Sequence, residues 1–196
     1  MQKSDLRKIY LQKRKTLSSD EVFLLSGQIS QQFVQFFKPK KNQKLHLFLP
    51  IAKFIEIETQ FILNYCLENQ IRVFVPKVIG EDLISVEILE DSVYKTSSWG
   101  IKEPISNVDS GILDYDFVIT PLLYCDAKGN RVGYGKGFYD GFFENLSSKT
   151  KKIGINYFNP DESIDDVWEN DIPLDYLVTP TEVLSFGEGF LKKLTK

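Results

Sequence analysis

Histidine and cysteine, the side chains most used as metal ligands and activated nucleophiles, are nearly missing: one histidine and two cysteines occur in 196 residues. Cys66 and Cys125 lie far apart, with no metal-ligand spacing around either, and read as reduced structural residues. His46 sits inside the apolar run Leu45-His46-Leu47-Phe48-Leu49, which favours a satisfied core or surface histidine over a catalytic base. No Ser-His-Asp or Cys-His set is visible. No apolar run approaches the ~18 residues of a membrane span, and Met1-Gln2-Lys3-Ser4-Asp5 lacks the apolar centre of a signal peptide, so a cytoplasmic protein without membrane contact is expected. Excess positive charge is also absent. A net charge of −3 argues against a general nucleic-acid binder, so any anion site must be local.

What is present is a globular composition, 42% hydrophobic and 13% aromatic, enough for a well-filled core without disulfide or metal staples and expected to form one domain over residues 1–196. Ser4 to Thr16 has helical spacing through Leu6, Ile9, Tyr10 and Leu17, and Ser18 with Glu21 has the form of a capping box opening a second helix towards Phe37. Leu45 to Leu49, closed by Pro50, reads as a buried strand, Thr59 to Asn69 as a helix, and Ile71 to Val75, before Pro76, as a second strand. Ile84–Leu89, Phe117–Thr120, Lys152–Tyr157 and Tyr176–Thr179 supply further strands. Strands alternating with helices predict a three-layer α/β/α sandwich around a largely parallel sheet, with ligands beyond the carboxyl ends of the strands.

Three stretches look chemical. Arg131-Val132-Gly133-Tyr134-Gly135-Lys136-Gly137-Phe138-Tyr139-Asp140 alternates glycines before a helical pattern. Glycine permits positive φ and close backbone approach, so this run fits an anion cradle charged by Arg131 and Lys136; it is neither a Walker loop nor a dinucleotide fingerprint. Lys3, Arg7 and Arg14 fall within about 40° on the first helix, which fits either a solvated charged face or one turned to a triphosphate. In the loop from Pro50 to Thr59, Glu56 and Glu58 stand between strand and helix, suited to the amino-pyrimidine edge of a pterin or to starting the helix.

Together these stretches resemble the 5-formyltetrahydrofolate cyclo-ligase (methenyltetrahydrofolate synthetase) family over nearly the whole chain. The resemblance rests on Lys3 with Arg7, Lys13-Arg14 with Leu17-Ser18, Leu49-Pro50, Glu56 to Thr59, Gly100 to Pro104, Asp126 to Arg131 and Gly133 to Asp140, in that order. It implies a three-layer α/β fold and an ATP- and Mg²⁺-dependent enzyme closing a ring on 5-formyltetrahydrofolate, a small-molecule substrate, as a monomer. Lys3, Arg7, Arg131, Gly133, Tyr134, Gly135, Lys136, Gly137, Phe138 and Tyr139 then inherit the nucleotide role, with Arg131, Lys136 and Tyr139 catalytic. Leu49, Glu56 and Trp99 match the folate pocket, to which Tyr134 through Phe138 also contribute, and Asp140 and Asp171 match magnesium-linked aspartates. The segment between Leu49 and Glu56 is longer than the family's usual spacing, Lys136 stands where glycine is frequent, and Gly141 replaces a common arginine. The alternatives are another ATP-dependent small-molecule ligase or kinase, or a non-catalytic ATP-binding protein.

Overall fold

A computed structural model describes residues 1–80, 82–96, 100 and 102–187. The chain begins with α1 (Lys3–Lys15) and α2 (Ser19–Phe37). Between them the capping box forms as the sequence predicts: the Ser18 hydroxyl accepts from Glu21 N at 3.2 Å, and the Glu21 carboxylate accepts from Ser18 N at 2.8 Å. Two donors that a helix start would leave unpaired are thereby satisfied. There follow β1 (Lys44–Leu47), a 3₁₀ turn (Ala52–Phe54), α3 (Gln60–Glu68), β2 (Arg72–Ile79), β3 (Asp82–Ile88), β4 (Tyr94–Thr96) and β5 (Lys102–Pro104). The remainder comprises β6 (Phe117–Thr120), β7 (Tyr124–Cys125), β8 (Arg131–Val132), α4 (Phe138–Glu144), β9 (Lys151–Ile155), β10 (Tyr176–Val178) and β11 (Val183–Ser185).

Seven strands form the main sheet in the order β11-β10-β9-β6-β1-β2-β3. The strands from β10 to β2 run parallel, and each edge is closed by an antiparallel partner, β11 on β10 and β3 on β2. The period of two along each strand divides the core. Leu45, Leu47, Val73, Val75, Phe117 and Ile119 share one apolar cluster with Ile29 and Phe33 of α2 and Ile62 and Cys66 of α3. The alternate residues Phe74 and Val118 join Tyr115 and Phe143 of α4 in another. Each fully buried side chain of this size contributes roughly 1.5–3 kcal/mol. The result is the expected α/β fold with helices on both sheet faces.

The strand limits depart from the sequence reading at two prolines. β1 ends at Leu47 rather than running to Pro50, because the carbonyl of Phe48 is taken by the Thr59 hydroxyl at 2.8 Å instead of a ladder partner. β2 does not stop at Val75 but passes through Pro76 to Ile79. Within β2, β1 pairs with Arg72–Phe74 alone, so the proline lies where the β1 side requires no ladder donor, while β3 continues the pairing through Ser85. His46 is fully buried between Tyr115 and Phe142, and neither ring nitrogen has a hydrogen-bond partner among the described residues. It is thus a core residue but not a satisfied one, and burial pulls its pKa down to about 3, so the ring is neutral.

A third cluster positions α1. Leu6 and Tyr10 pack with Leu123, Tyr124 and Val132 of the β7–β8 hairpin region, with the Tyr10 and Tyr124 rings stacked at 4.3 Å. The helix therefore lies against the loops that follow β6.

Candidate active site

The loops leaving β1, β6 and β9 come together against α1 at the carboxyl ends of the parallel strands, where ligands of such sheets bind. The β7–β8 turn aims the first functional side chain. Asp126, buried, accepts from Lys128 N and Asn130 N at Oδ1 and from Asn130 Nδ2 at Oδ2, all at 2.9 Å. Gly129 takes φ +85°, and a Cβ there would meet the Leu174 carbonyl at 2.7 Å. The Asp-x-x-Gly-x-Arg pattern is thus a device that delivers Arg131 to its place, with Asp126 acting on backbone. Gly129→Ala should destabilise the protein by roughly 1–3 kcal/mol, since both the positive φ and a backbone obstacle oppose the methyl group; a denaturant melt with an unchanged midpoint would contradict this.

Arg131 is the centre of an ionic chain. Its guanidinium donates to Asp140 Oδ1 at 2.6 Å and to the Ile172 carbonyl, and lies 4.6 Å from the centre of the Phe143 ring. Burial pulls its pKa down while the charges of Asp140 and Asp171 hold it up, so both aspartates act on one arginine. Lys3 Nζ pairs with Asp171, whose carboxylate also accepts from Trp168 N at 2.6 Å. Asp166 accepts from Lys3 N at 2.6 Å, capping α1 from the segment that follows β9. Arg7 donates from Nε to the Gly133 carbonyl at 2.9 Å and runs beside Gly135, where an added Cβ would stand 3.5 Å from its guanidinium. Arg7 therefore reaches the glycine loop, while Lys3 is held by the segment that follows β9.

Arg14, the third, does neither thing the stripe allowed. It is 2% exposed, so it is not solvated, and it donates to the Leu122 carbonyl and, at 3.3 Å, to the Tyr134 hydroxyl rather than facing open space for phosphate. The Tyr134 hydroxyl in turn donates to Glu56 Oε1, while Ile51 N donates to Glu56 Oε2 at 2.7 Å. The Tyr134 ring stacks on Phe54 at 4.7 Å. Glu56 is buried and Glu58 exposed, which separates the two carboxylates left open by the sequence. Burial raises the Glu56 pKa above its ordinary value, opposed by the Tyr134 and Ile51 hydrogen bonds and then by the Arg14 charge. Leu49 packs against the larger cluster at the start of this loop. Trp99 lies outside the described residues.

Gly135 and Gly137 take φ of +84° and +71°, and Gly137 is the left-handed N-cap of α4, with Phe138 opening the helix. Lys136, between them, is exposed. Tyr139 turns its ring among His46, Phe142 and Phe143, and its hydroxyl is buried without a hydrogen-bond partner among the described residues. Burial first, then the Glu56 charge, raises its pKa, which keeps the phenol protonated. The two cysteines are buried and unlinked, and burial pushes the Cys66 thiol up to about 12.

Among the described residues no group of three or more His, Cys, Asp or Glu forms a metal cage. The hydrogen bonds described for Asp140 all fall on Oδ1 and those for Asp171 on Oδ2. Each carboxylate thus retains a second oxygen, a donor set that fits a hard cation such as Mg²⁺, which takes one or two carboxylates and completes its shell with phosphate and water. The sequence reading missed Phe54 and the true position of Arg14. The signal for Arg14 was available: it lies four residues beyond Tyr10 and eight beyond Leu6, on the apolar side of the helix.

Comparison with known proteins shows the family. Residues 1–180 match the 5-formyltetrahydrofolate cyclo-ligase family. A 5-formyltetrahydrofolate cyclo-ligase of Mycoplasma pneumoniae is 31% identical over 180 residues, covering 91% of this chain and 98% of that protein. The structure of Aquifex aeolicus 5,10-methenyltetrahydrofolate synthetase superposes with a TM-score of 0.81 at 29% identity, covering 98% of this chain and 97% of that one. That of a 5,10-methenyltetrahydrofolate synthetase from Mycoplasma pneumoniae gives 0.69 at 30% identity, covering 92% and 99%. The glycine loop, the cations of α1 and the buried glutamate therefore sit in a chain that belongs to the 5-formyltetrahydrofolate cyclo-ligase family.

Proposed function

We propose that the enzyme converts 5-formyltetrahydrofolate to 5,10-methenyltetrahydrofolate with consumption of ATP, acting as a monomer in the cytoplasm. The observation that carries this reading is convergence: Arg7 of α1, Arg131 of the β7–β8 hairpin and Glu56 of the β1 loop all meet the segment from Gly133 to Asp140, by way of Gly133, Asp140 and Tyr134. A nucleotide triphosphate and a pterin would then lie on opposite sides of one glycine-rich loop.

In this reading Lys3, Arg7, Arg131 and Lys136 neutralise the triphosphate, and the backbone amides from Gly133 to Tyr139 approach it closely because the glycines present no Cβ. Glu56 accepts hydrogen bonds from the amino-pyrimidine edge of the pterin, with Leu49, Trp99 and the segment from Tyr134 to Phe138 forming the wall around it. The formyl oxygen receives the terminal phosphoryl group of ATP, N10 of the folate attacks the activated formyl carbon, and inorganic phosphate departs as the ring closes. Phosphoryl transfer requires mainly alignment and charge neutralisation, so cations and amides suffice and no covalent nucleophile is needed. Mg²⁺, held by Asp140 and Asp171 together with phosphate oxygens, would supply further neutralisation. Tyr139, protonated and buried at its hydroxyl, supports the loop from beneath and has a donor to offer.

The test is direct. Purified protein is incubated with 5-formyltetrahydrofolate, ATP and Mg²⁺, and the methenyl chromophore and ADP are followed together. Product is expected only when both ATP and Mg²⁺ are present, with one ADP per ring closed. Product formed without ATP, or ATP turnover indifferent to the folate, would overturn the reading.

A further inference from the structure

We propose that Arg14 is a positioning residue for folate recognition, setting the orientation and ionisation of the Glu56 carboxylate through the Tyr134 hydroxyl and through its own buried charge. The proposal rests on the reading that Glu56 meets the pterin. A cation in the last turn of a helix is ordinarily a solvated partner of the helix dipole, as Lys13 and Lys15 are placed to be. Arg14 is instead 2% exposed, and a guanidinium withdrawn from water requires compensation. The Leu122 carbonyl and the Tyr134 hydroxyl take two of its donors, and the Tyr157 ring lies 5.6 Å from its carbon centre. Its Nε remains buried without a partner among the described residues. Nothing in this inventory carries negative charge except, one hydroxyl further on, Glu56.

The hydrogen-bond directions form a polarised chain. Arg14 donates to the Tyr134 oxygen, and the Tyr134 hydroxyl donates to Glu56 Oε1. Donation into the phenol oxygen makes its proton a better donor, so the arginine strengthens the second bond. Ile51 N holds the other carboxylate oxygen, leaving Glu56 fixed at both oxygens and able to receive a ligand on its remaining lone pairs. The charged and titratable groups of the described residues that act on Glu56 or feel its charge are Arg14 from α1, Tyr134 from the glycine loop, Tyr139 from α4 and Tyr157 after β9. Among the described residues Arg14 is the cation whose charge acts on Glu56. Without it the Tyr134 and Ile51 hydrogen bonds still oppose burial, but the full positive charge that joins them is lost, which shifts Glu56 towards a protonated carboxyl with less acceptor capacity for two pterin donors.

The experiment compares Arg14→Met, Arg14→Lys, Tyr134→Phe, Glu56→Gln and the double variant R14M/E56Q by thermal melt, by KM for each substrate and by the pH profile of kcat/KM. Arg14→Met is expected to raise the KM for 5-formyltetrahydrofolate by about 10-fold or more while the ATP KM stays within about 2-fold, and to move the acid limb to higher pH. Arg14→Lys should restore part of the loss, Tyr134→Phe should reproduce the folate defect, and R14M should add little in the E56Q background. If R14M does not fold, R14K and Tyr134→Phe carry the same comparison. Equal increases in both KM values, or an R14M effect undiminished by E56Q, would overturn the proposal alone. A normal folate KM in E56Q would overturn it together with the reading of Glu56.

Discussion

Arg131→Met should lower kcat/KM by about 10²–10³, the effect of removing one preorganised donor from a site where charge develops. The arginine side chain is 8% exposed and bonds both Asp140 and the Ile172 carbonyl, so it is held rigidly before any ligand arrives. That rigidity matters, because a fixed guanidinium need not reorganise as the phosphoryl group moves. The same contacts mean that methionine also leaves a carboxylate without its partner, at about 1–3 kcal/mol of stability. Arg131→Lys separates the two effects: it retains charge but cannot span both acceptors, so it should keep more of the stability than of the rate. Steady-state kinetics with each substrate varied, alongside thermal melts, will decide. A methionine variant that melts lower but turns over normally would assign Arg131 to the scaffold.

The second large effect is expected at Asp140. Asp140→Asn keeps the shape and an acceptor for Arg131 while removing the charge a divalent cation requires. The apparent Mg²⁺ requirement for turnover should rise by about 10–100-fold, with excess metal rescuing part of the rate and the melting temperature falling little. The small structural loss follows from exposure, since the Asp140 side chain is 34% accessible and its ion pair is partly in water. A carboxylate in the first turn of a helix also interacts favourably with the helix dipole, by about 0.3–1 kcal/mol, so the melt must be measured in the same buffers. A variant with wild-type Mg²⁺ dependence and a lowered melting point would place Asp140 in the role of a partner for Arg131 and the α4 terminus, and would remove the main support for Asp171 beside it.

Much of the fold was determined locally and was therefore legible. The Ser18–Glu21 capping box, the apolar run that begins at Leu45, and the helical spacing around Phe61, Ile62, Tyr65 and Cys66 each involve residues a few positions apart, and each marked the element that formed there. The glycines of the loop were equally readable, because positive φ at Gly135 and Gly137 is a property of single residues. Short elements stabilised only by distant partners were not. The β11 edge, the β4–β5 pair and the β7–β8 hairpin, two residues long on each strand, carry too little pattern to be seen before their neighbours are in place.

The site divides along the same line. The sequence by itself determined which residue types were available: cations on α1, an arginine before a glycine loop, glutamates after a strand, and no visible Ser-His-Asp or Cys-His set. Only the tertiary structure decided their partners. Lys3 meets Asp171 across 168 positions and Arg7 meets Gly133 across 126, distances over which periodicity carries no information. Arg14 shows the reason most clearly. On the helix it is one of three cations in a stripe, equivalent to Lys3 and Arg7 by angle, yet α1 docks through Leu6 and Tyr10 and takes Arg14 into the protein with them. Helical geometry decided which side chains share a face, but the docking of that face on the β7–β8 hairpin decided which charge lost its water, and burial then made Glu56 and Tyr134 its partners.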